Sequence, residues 1–257
     1  MITILENPAE ATVETFAELK TAVEDTTGDY KAITTVYLTQ DMTHANAAVT
    51  VPLSKPAVVI DGTYGGVRHQ FTTYSNSLSY LITTANPGTG KQAMDVTMRH
   101  MDIIGNNYYG AMGAADSNNF FNVTLTYEDV NYTGAQTMYN RYGAVRYIGG
   151  SYDINYHEVA ECGRVTLGGN LTINHTMASY SSFWMNYNAS DQYFRVLEGA
   201  DVTITAAYAV VYISTGAQFI VEDNARLVIE APLGIAFNTA AYAAFTIGQG
   251  AYFKCTQ

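Results

Sequence analysis

Between residues 139 and 164 the chain gathers Tyr139, Arg141, Tyr142, Arg146, Tyr147, Tyr152, Tyr156, His157, Glu158, Glu161 and Arg164. Three of the 12 basic residues fall in this stretch of a chain that is only 14% charged. Tyrosine rings stack on pyranose faces, and Arg and Glu bond sugar hydroxyls, so the stretch reads as a candidate groove for a sugar. The competing reading is a structural charge cluster, with Arg146 beside Glu158 or Arg164 tying neighbouring strands together. A second aromatic group, Tyr180, Phe183, Trp184, Tyr187 and Tyr193, holds the only Trp and either extends that surface or fills a loop. The candidate ligand-binding set is Tyr139, Arg141, Tyr142, Arg146, Tyr156, His157, Glu158, Glu161, Arg164 and Trp184.

Other chemistries find less support. Asp102, Asp129 and Asp153 recur 27 and 24 residues apart. Stacked on one another they would make an acidic ladder fit for Ca²⁺; as turn formers they would bond their own backbone. Asn86-Pro87-Gly88-Thr89-Gly90-Lys91-Gln92 has the outline of a phosphate loop. Ala85 stands where its first Gly belongs, and Gln92 where Ser or Thr would hold Mg²⁺, which leaves an exposed turn. His44, His69, His100, His157 and His175 show no metal-ligand spacing, and no metal or other cofactor is expected. Cys162 and Cys255 form no C-x-x-C and read as two buried small hydrophobes. Whether they pair is open. No catalytic residue is assigned.

The elements that must position these residues are short strands. Val36-Tyr37-Leu38, Val58-Val59-Ile60, Val96-Thr97-Met98, Val123-Thr124-Leu125, Leu171-Thr172-Ile173 and Leu227-Val228-Ile229 are among several runs that read as strands, most of them apolar at both ends with a middle residue that can face water. That is the period of a strand covered on one face. Their spacing says more. Phe194, Phe219 and Phe245 each open an apolar strand, 25 and then 26 residues apart, followed by small turn residues and a second strand. A drifting repeat of about 24–31 residues without internal helices predicts a parallel β-solenoid. The expected fold is all-β: one domain over 1–257, a right-handed single-stranded parallel β-helix of about ten coils over 30–257. One segment, 12–27, reads as a short α-helix capping the first coil. Thr15-Phe16-Ala17-Glu18 has capping-box form, and Phe16, Leu19 and Val23 share a face.

Composition sets outer bounds. With 12 basic and 23 acidic residues the net charge is −11, which repels phosphate backbones and anionic headgroups and excludes nucleic acid as a partner. No apolar run reaches the length of a membrane span, so direct membrane insertion is not expected. The opening Met1-Ile2-Thr3-Ile4-Leu5-Glu6 lacks the features of a signal peptide, so the chain is either cytosolic or shown without its leader.

The residues assembled so far resemble the pectate-lyase-like adhesive domain of Gram-positive bacterial surface proteins. The resemblance is carried by Phe16-Ala17-Glu18-Leu19-Lys20-Thr21-Ala22-Val23 and by Val58-Val59-Ile60-Asp61-Gly62-Thr63-Tyr64-Gly65-Gly66-Val67-Arg68-His69. Met101-Asp102-Ile103-Ile104-Gly105-Asn106-Asn107-Tyr108-Tyr109-Gly110, Glu158-Val159-Ala160-Glu161 with Arg164-Val165, and Gly168-Gly169-Asn170-Leu171-Thr172-Ile173 complete it. It implies a right-handed β-helix in a secreted or wall-anchored protein, usually part of a longer surface polypeptide, with a binding role. It brings no functional residues with it. The reading reached is a non-enzymatic, extracellular adhesin-like domain whose partner is a glycan or host cell-surface ligand. The alternative is a polysaccharide lyase or glycoside hydrolase with an atypical site, using Glu158 and Glu161 as acid and base.

Overall fold

The computed structural model describes residues 1–73, 81–185, 191–213, 217–237 and 244–257. Nearly every strand pairs in parallel with a strand one repeat away, and the pairings line up as three ladders. The first runs through Glu10–Val13, Thr35–Leu38, Ala57–Asp61 and the leading halves of Met94–Gly105 and Val123–Gly134. It continues through Met138–Ile154, Ala160–His175, Tyr193–Val196, Gln218–Val221 and Ala244–Ile247. A second ladder follows the trailing halves of the long strands into Asp201–Ala206, Arg226–Glu230 and Tyr252–Thr256. A third joins Val49–Val51, Ile82–Thr84, Met112–Gly113, the starts of the strands from Met138 and Ala160, then Phe183–Met185, Ala209–Ile213 and Gly234–Phe237.

The 25- and 26-residue spacing of the Phe units is the register of the ladders there. Elsewhere in the first ladder the register ranges from 20 residues (Thr124 to Ala144) to 38 (Ala57 to Asp95), wider than the about 24–31 expected. Phe194 pairs with Phe219 and Phe219 with Phe245, while Ile204, Ile229 and Cys255 align in the second ladder. Phe194, Phe219, Ile204 and Ile229 stack into one core, while Phe245 and Cys255 on the last repeat are exposed. The passage from first to second ladder is made by a left-handed residue in almost every repeat: His100, Asp129, Gly149 and Gly150, Gly169, Gly199, Asn224 and Gly250. Glycine and asparagine tolerate that conformation, which explains their place between the apolar runs.

The α-helix is α1, Phe16–Glu24, shorter than the 12–27 expected. The strand Glu10–Val13 takes the start of that span, because Thr12 and Val13 are β-branched and Thr15 already caps the helix through the Glu18 amide. The capping box is complete, with the Glu18 carboxylate accepting from the Thr15 amide. Phe16, Leu19, Ala22 and Val23 are buried, and the Lys55 ammonium, itself buried, donates to the Ala22 carbonyl at 2.7 Å and the Tyr30 carbonyl at 3.0 Å. That closes a helix end which would otherwise bury unsatisfied carbonyls.

Several expectations are corrected. Tyr147 and Tyr152 point inward, as do Tyr127 and Tyr132; all four are essentially inaccessible. Tyr127 and Tyr147 stand in the column of Met98 and Leu167, and Tyr132 and Tyr152 in that of Ile103 and Ile173. Their rings lie 5.1–6.2 Å apart. The hydroxyls are satisfied internally: Tyr132 donates to the Gln136 carbonyl at 2.7 Å, and Tyr147 lies 2.5 Å from the Thr137 hydroxyl. Cys162 is buried and free, but Cys255 is exposed and free, on the strand Tyr252–Thr256, for which one paired edge is described. The three aspartates do not stack. Asp102 faces Asn131 and Asp153 faces Thr133, because the registers here run at 29 and then 20 residues, not at the aspartates' 27 and 24, and Asp129 sits at the corner itself. Arg68 binds Asp102 and Asp129 instead, at 2.9 Å each. Among the described residues no acidic or His/Cys group could hold a metal ion.

Candidate ligand-binding site

The third ladder carries the site. The column that alternates with its core-facing one runs Tyr139, Glu161, Trp184, Tyr212, each paired with the next across adjacent repeats; Tyr139 and Glu161 are covered and buried, Trp184 and Tyr212 partly open. Equivalent strands lie about 4.8 Å apart, so these side chains form one continuous strip. The connections that enter the ladder add Tyr108 and Tyr109, then Tyr156, His157 and Glu158, then Tyr180, then Tyr208.

Ring contacts join the two sets. Tyr139 meets Tyr109 edge-on at 5.2 Å, Tyr109 meets Tyr108 at 4.5 Å, and Tyr108 lies 3.9 Å from His157. His157 also contacts Tyr156 at 4.4 Å and Tyr180 at 4.7 Å. Arg141 ties the strip together: its guanidinium donates to Asp116 at 2.9 Å and to the Tyr139 hydroxyl at 3.3 Å. It also lies 3.6 Å from Glu161 and 5.7 Å from the Trp184 ring centre. Beside Trp184 opens a cleft of about 320 Å³, lined by Glu158, Ser179, Tyr180, Ser181, Trp184, Tyr208 and Tyr212.

Of the predicted set, Tyr139, Arg141, Tyr156, His157, Glu158, Glu161 and Trp184 come together here. Arg146 and Arg164 do not. The strands Met138–Ile154 and Ala160–His175 leave the third ladder after Asn140 and Cys162 and join the first, with a register shift between Asn140 and Ala144. Arg146 is therefore exposed between Thr126 and Thr166, next to neither Glu158 nor Arg164. Arg164 donates to the Phe121 carbonyl and lies over the Phe121 ring at 4.3 Å. Tyr142 is half-buried at that bend. Tyr187 lies outside the described residues. Tyr108, Tyr109, Asp116, Tyr208 and Tyr212 were missed, although Trp184 to Tyr212 and Tyr180 to Tyr208 share one 28-residue offset.

The two carboxyls sit in low-dielectric surroundings. Burial, and then the neighbouring Glu158 charge, push Glu161 up to about 7, and burial raises Glu158. His157 and His175 are held below their usual value by burial; His175 lies 2.6 Å from the His157 carbonyl and 3.1 Å from the Ser182 hydroxyl.

For Glu161 the folded state holds its proton to higher pH than the unfolded chain, whose value is near 4.5. The native state thus binds more protons between those limits. The contribution to stability is complete below about pH 4.5 and is lost as pH rises through about 7. Glu161→Gln is expected to be about 2 kcal/mol more stable relative to wild type at high pH than at low pH. Urea midpoints of both proteins on either side of that window check it; the histidines, common to both, cancel in the difference. Parallel curves would contradict the assignment.

Among the described residues no helix is long and apolar enough to cross a membrane. A family model described as a pectate lyase-like adhesive domain matches residues 10–139, half of the chain and the part that ends at Tyr139. A solved structure, L. reuteri 53608 SRRP, is similar in fold, with a TM-score of 0.63 at 17% identity over 96% of this chain and 99% of that one. No curated protein matches the chain.

Proposed function

Because this chain belongs to the pectate lyase-like adhesive domain family, we propose that it is a non-enzymatic, adhesin-like binding domain of a longer bacterial surface protein. On this reading residues 1–257 form one unit, a right-handed parallel β-helix with α1 over its first rung, displayed outside a Gram-positive cell. Three in-register ladders and the recurring left-handed corner support the winding. The ligand is a glycan or host-surface group. The observation that carries this is the strip Tyr139, Glu161, Trp184, Tyr212 with its flanking rings, since aromatic faces beside carboxyls and a guanidinium suit a sugar's apolar face and its hydroxyls.

The test is retention on glycan and mucin surfaces. Wild type is expected to bind, and Trp184→Ala or Tyr156→Ala to bind about tenfold more weakly, as central aromatic anchors do. Absence of binding by wild type, or equal binding by both variants, would overturn the reading.

The pair Glu158 and Glu161 favours a second reading, because a carboxyl poised near 7 suits general acid–base work. Incubation with polygalacturonate and pectin decides it. New reducing ends or unsaturated uronates that disappear in Glu158→Gln would identify an enzyme.

A further inference from the structure

We propose that the cleft beside Trp184 binds an alkylated or primary ammonium group, such as choline or an amino sugar carries. The inference rests on the ligand-binding reading above and narrows it to a cation.

Four aromatic side chains from two successive repeats line this cleft: Tyr180 and Trp184 from one, Tyr208 and Tyr212 from the next. Aromatic faces are the negative end of a quadrupole and attract cations, most strongly where water is excluded. The preceding repeat contributes Glu158, and the remaining lining residues are Ser179 and Ser181. Among the described residues no Lys or Arg lines the space. Arg141, the nearest guanidinium to the Trp184 ring, is committed to Asp116 and Glu161.

Glu158 is therefore an acid among aromatic rings whose described partner is a histidine that burial holds toward its neutral form. It is 5% exposed, and the His157 nitrogen stands 3.6 Å away, an ion pair only when that imidazole is protonated. An anionic ligand would meet a carboxylate and four π faces. A neutral one would leave the buried acid uncompensated. A cation answers both, and the net charge of −11 concentrates cations near the surface. A cleft of about 320 Å³ accommodates a trimethylammonium head together with part of what bears it.

Trp184 is the only tryptophan, so its fluorescence reports on this cleft and on the adjoining Arg141. Choline is expected to change that signal saturably, and its neutral isostere 3,3-dimethylbutan-1-ol to bind about tenfold more weakly. Glu158→Gln is expected to erase that preference. Tyr208→Ala, at an exposed position that does not threaten the fold, is expected to weaken choline binding with the reporter intact.

Glucosamine against N-acetylglucosamine repeats the charge comparison on a sugar and separates the two sources of ammonium. Equal affinity for choline and its isostere, or no response to choline and glucosamine, would overturn the proposal. Should neutral glycans bind while both ammonium probes fail, this inference falls and the glycan reading stands. Should choline bind while every glycan surface is negative, the reverse holds.

Discussion

Gly150→Ala is expected to destabilise the protein by about 3 kcal/mol or more, while Gly149→Ala next to it costs only about 1 kcal/mol. Both glycines are left-handed, Gly149 at φ 73° and Gly150 at φ 96°, so both substitutions carry backbone strain. They differ in the space around them. A Cβ on Gly150 would lie 2.0 Å from the Val130 carbonyl oxygen and 2.8 Å from the Val130 nitrogen, backbone atoms held by the ladder. A Cβ on Gly149 meets nothing closer than the Asn170 carbonyl at 3.5 Å. Thermal or urea unfolding of the two variants measures the difference; similar losses would mean that the corner is looser than its pairing indicates.

Tyr147→Ala is the second large effect, expected at about 3–5 kcal/mol, and Tyr147→Phe at about 1 kcal/mol. The ring is wholly buried, 5.1 Å from Tyr152 and 5.8 Å from Phe183, so truncation opens a cavity in the centre of the stack. Phe keeps the ring and loses only the contact with the Thr137 hydroxyl, which retains the Val159 carbonyl as its acceptor at 2.7 Å. Tyr156→Ala, at a half-exposed position, leaves stability near wild type. If Tyr147→Ala and Tyr156→Ala cost the same, the division of tyrosines into core and surface is wrong.

That division was the part least legible in the sequence. A tyrosine is apolar enough for a core column provided its hydroxyl finds a backbone carbonyl, as Tyr132 does at Gln136, and nothing in its spacing shows whether one is in reach. The Phe194, Phe219 and Phe245 register was legible because the repeat length changes by only one residue there, from 25 to 26. The aspartate ladder failed because successive repeats differ in length there, 29 and then 20 residues, so the 27- and 24-residue spacing of the aspartates matches neither. Arg146 and Arg164 were grouped with Glu158 by proximity in sequence. A strand as long as Met138–Ile154 serves three ladders in turn, so neighbours along the chain end on different faces. Arg141, His157, Glu158 and Glu161 entered the candidate set, and lie together, because a cluster of charge in a charge-poor chain is conspicuous at any register.

The corner at each left-handed residue also determines where this architecture is free to vary. From first to second ladder the long strands continue with hardly a residue to spare. Between second and third ladder, by contrast, the intervening lengths differ: five residues from Ile154 to Ala160, seven from His175 to Phe183, two from Ala206 to Ala209. Glu158, Tyr180 and Tyr208 all belong to these elastic stretches. On the binding role proposed above, specificity is retuned by lengthening, shortening or exchanging such segments while the stacked interior stays intact, leaving one scaffold open to many tastes.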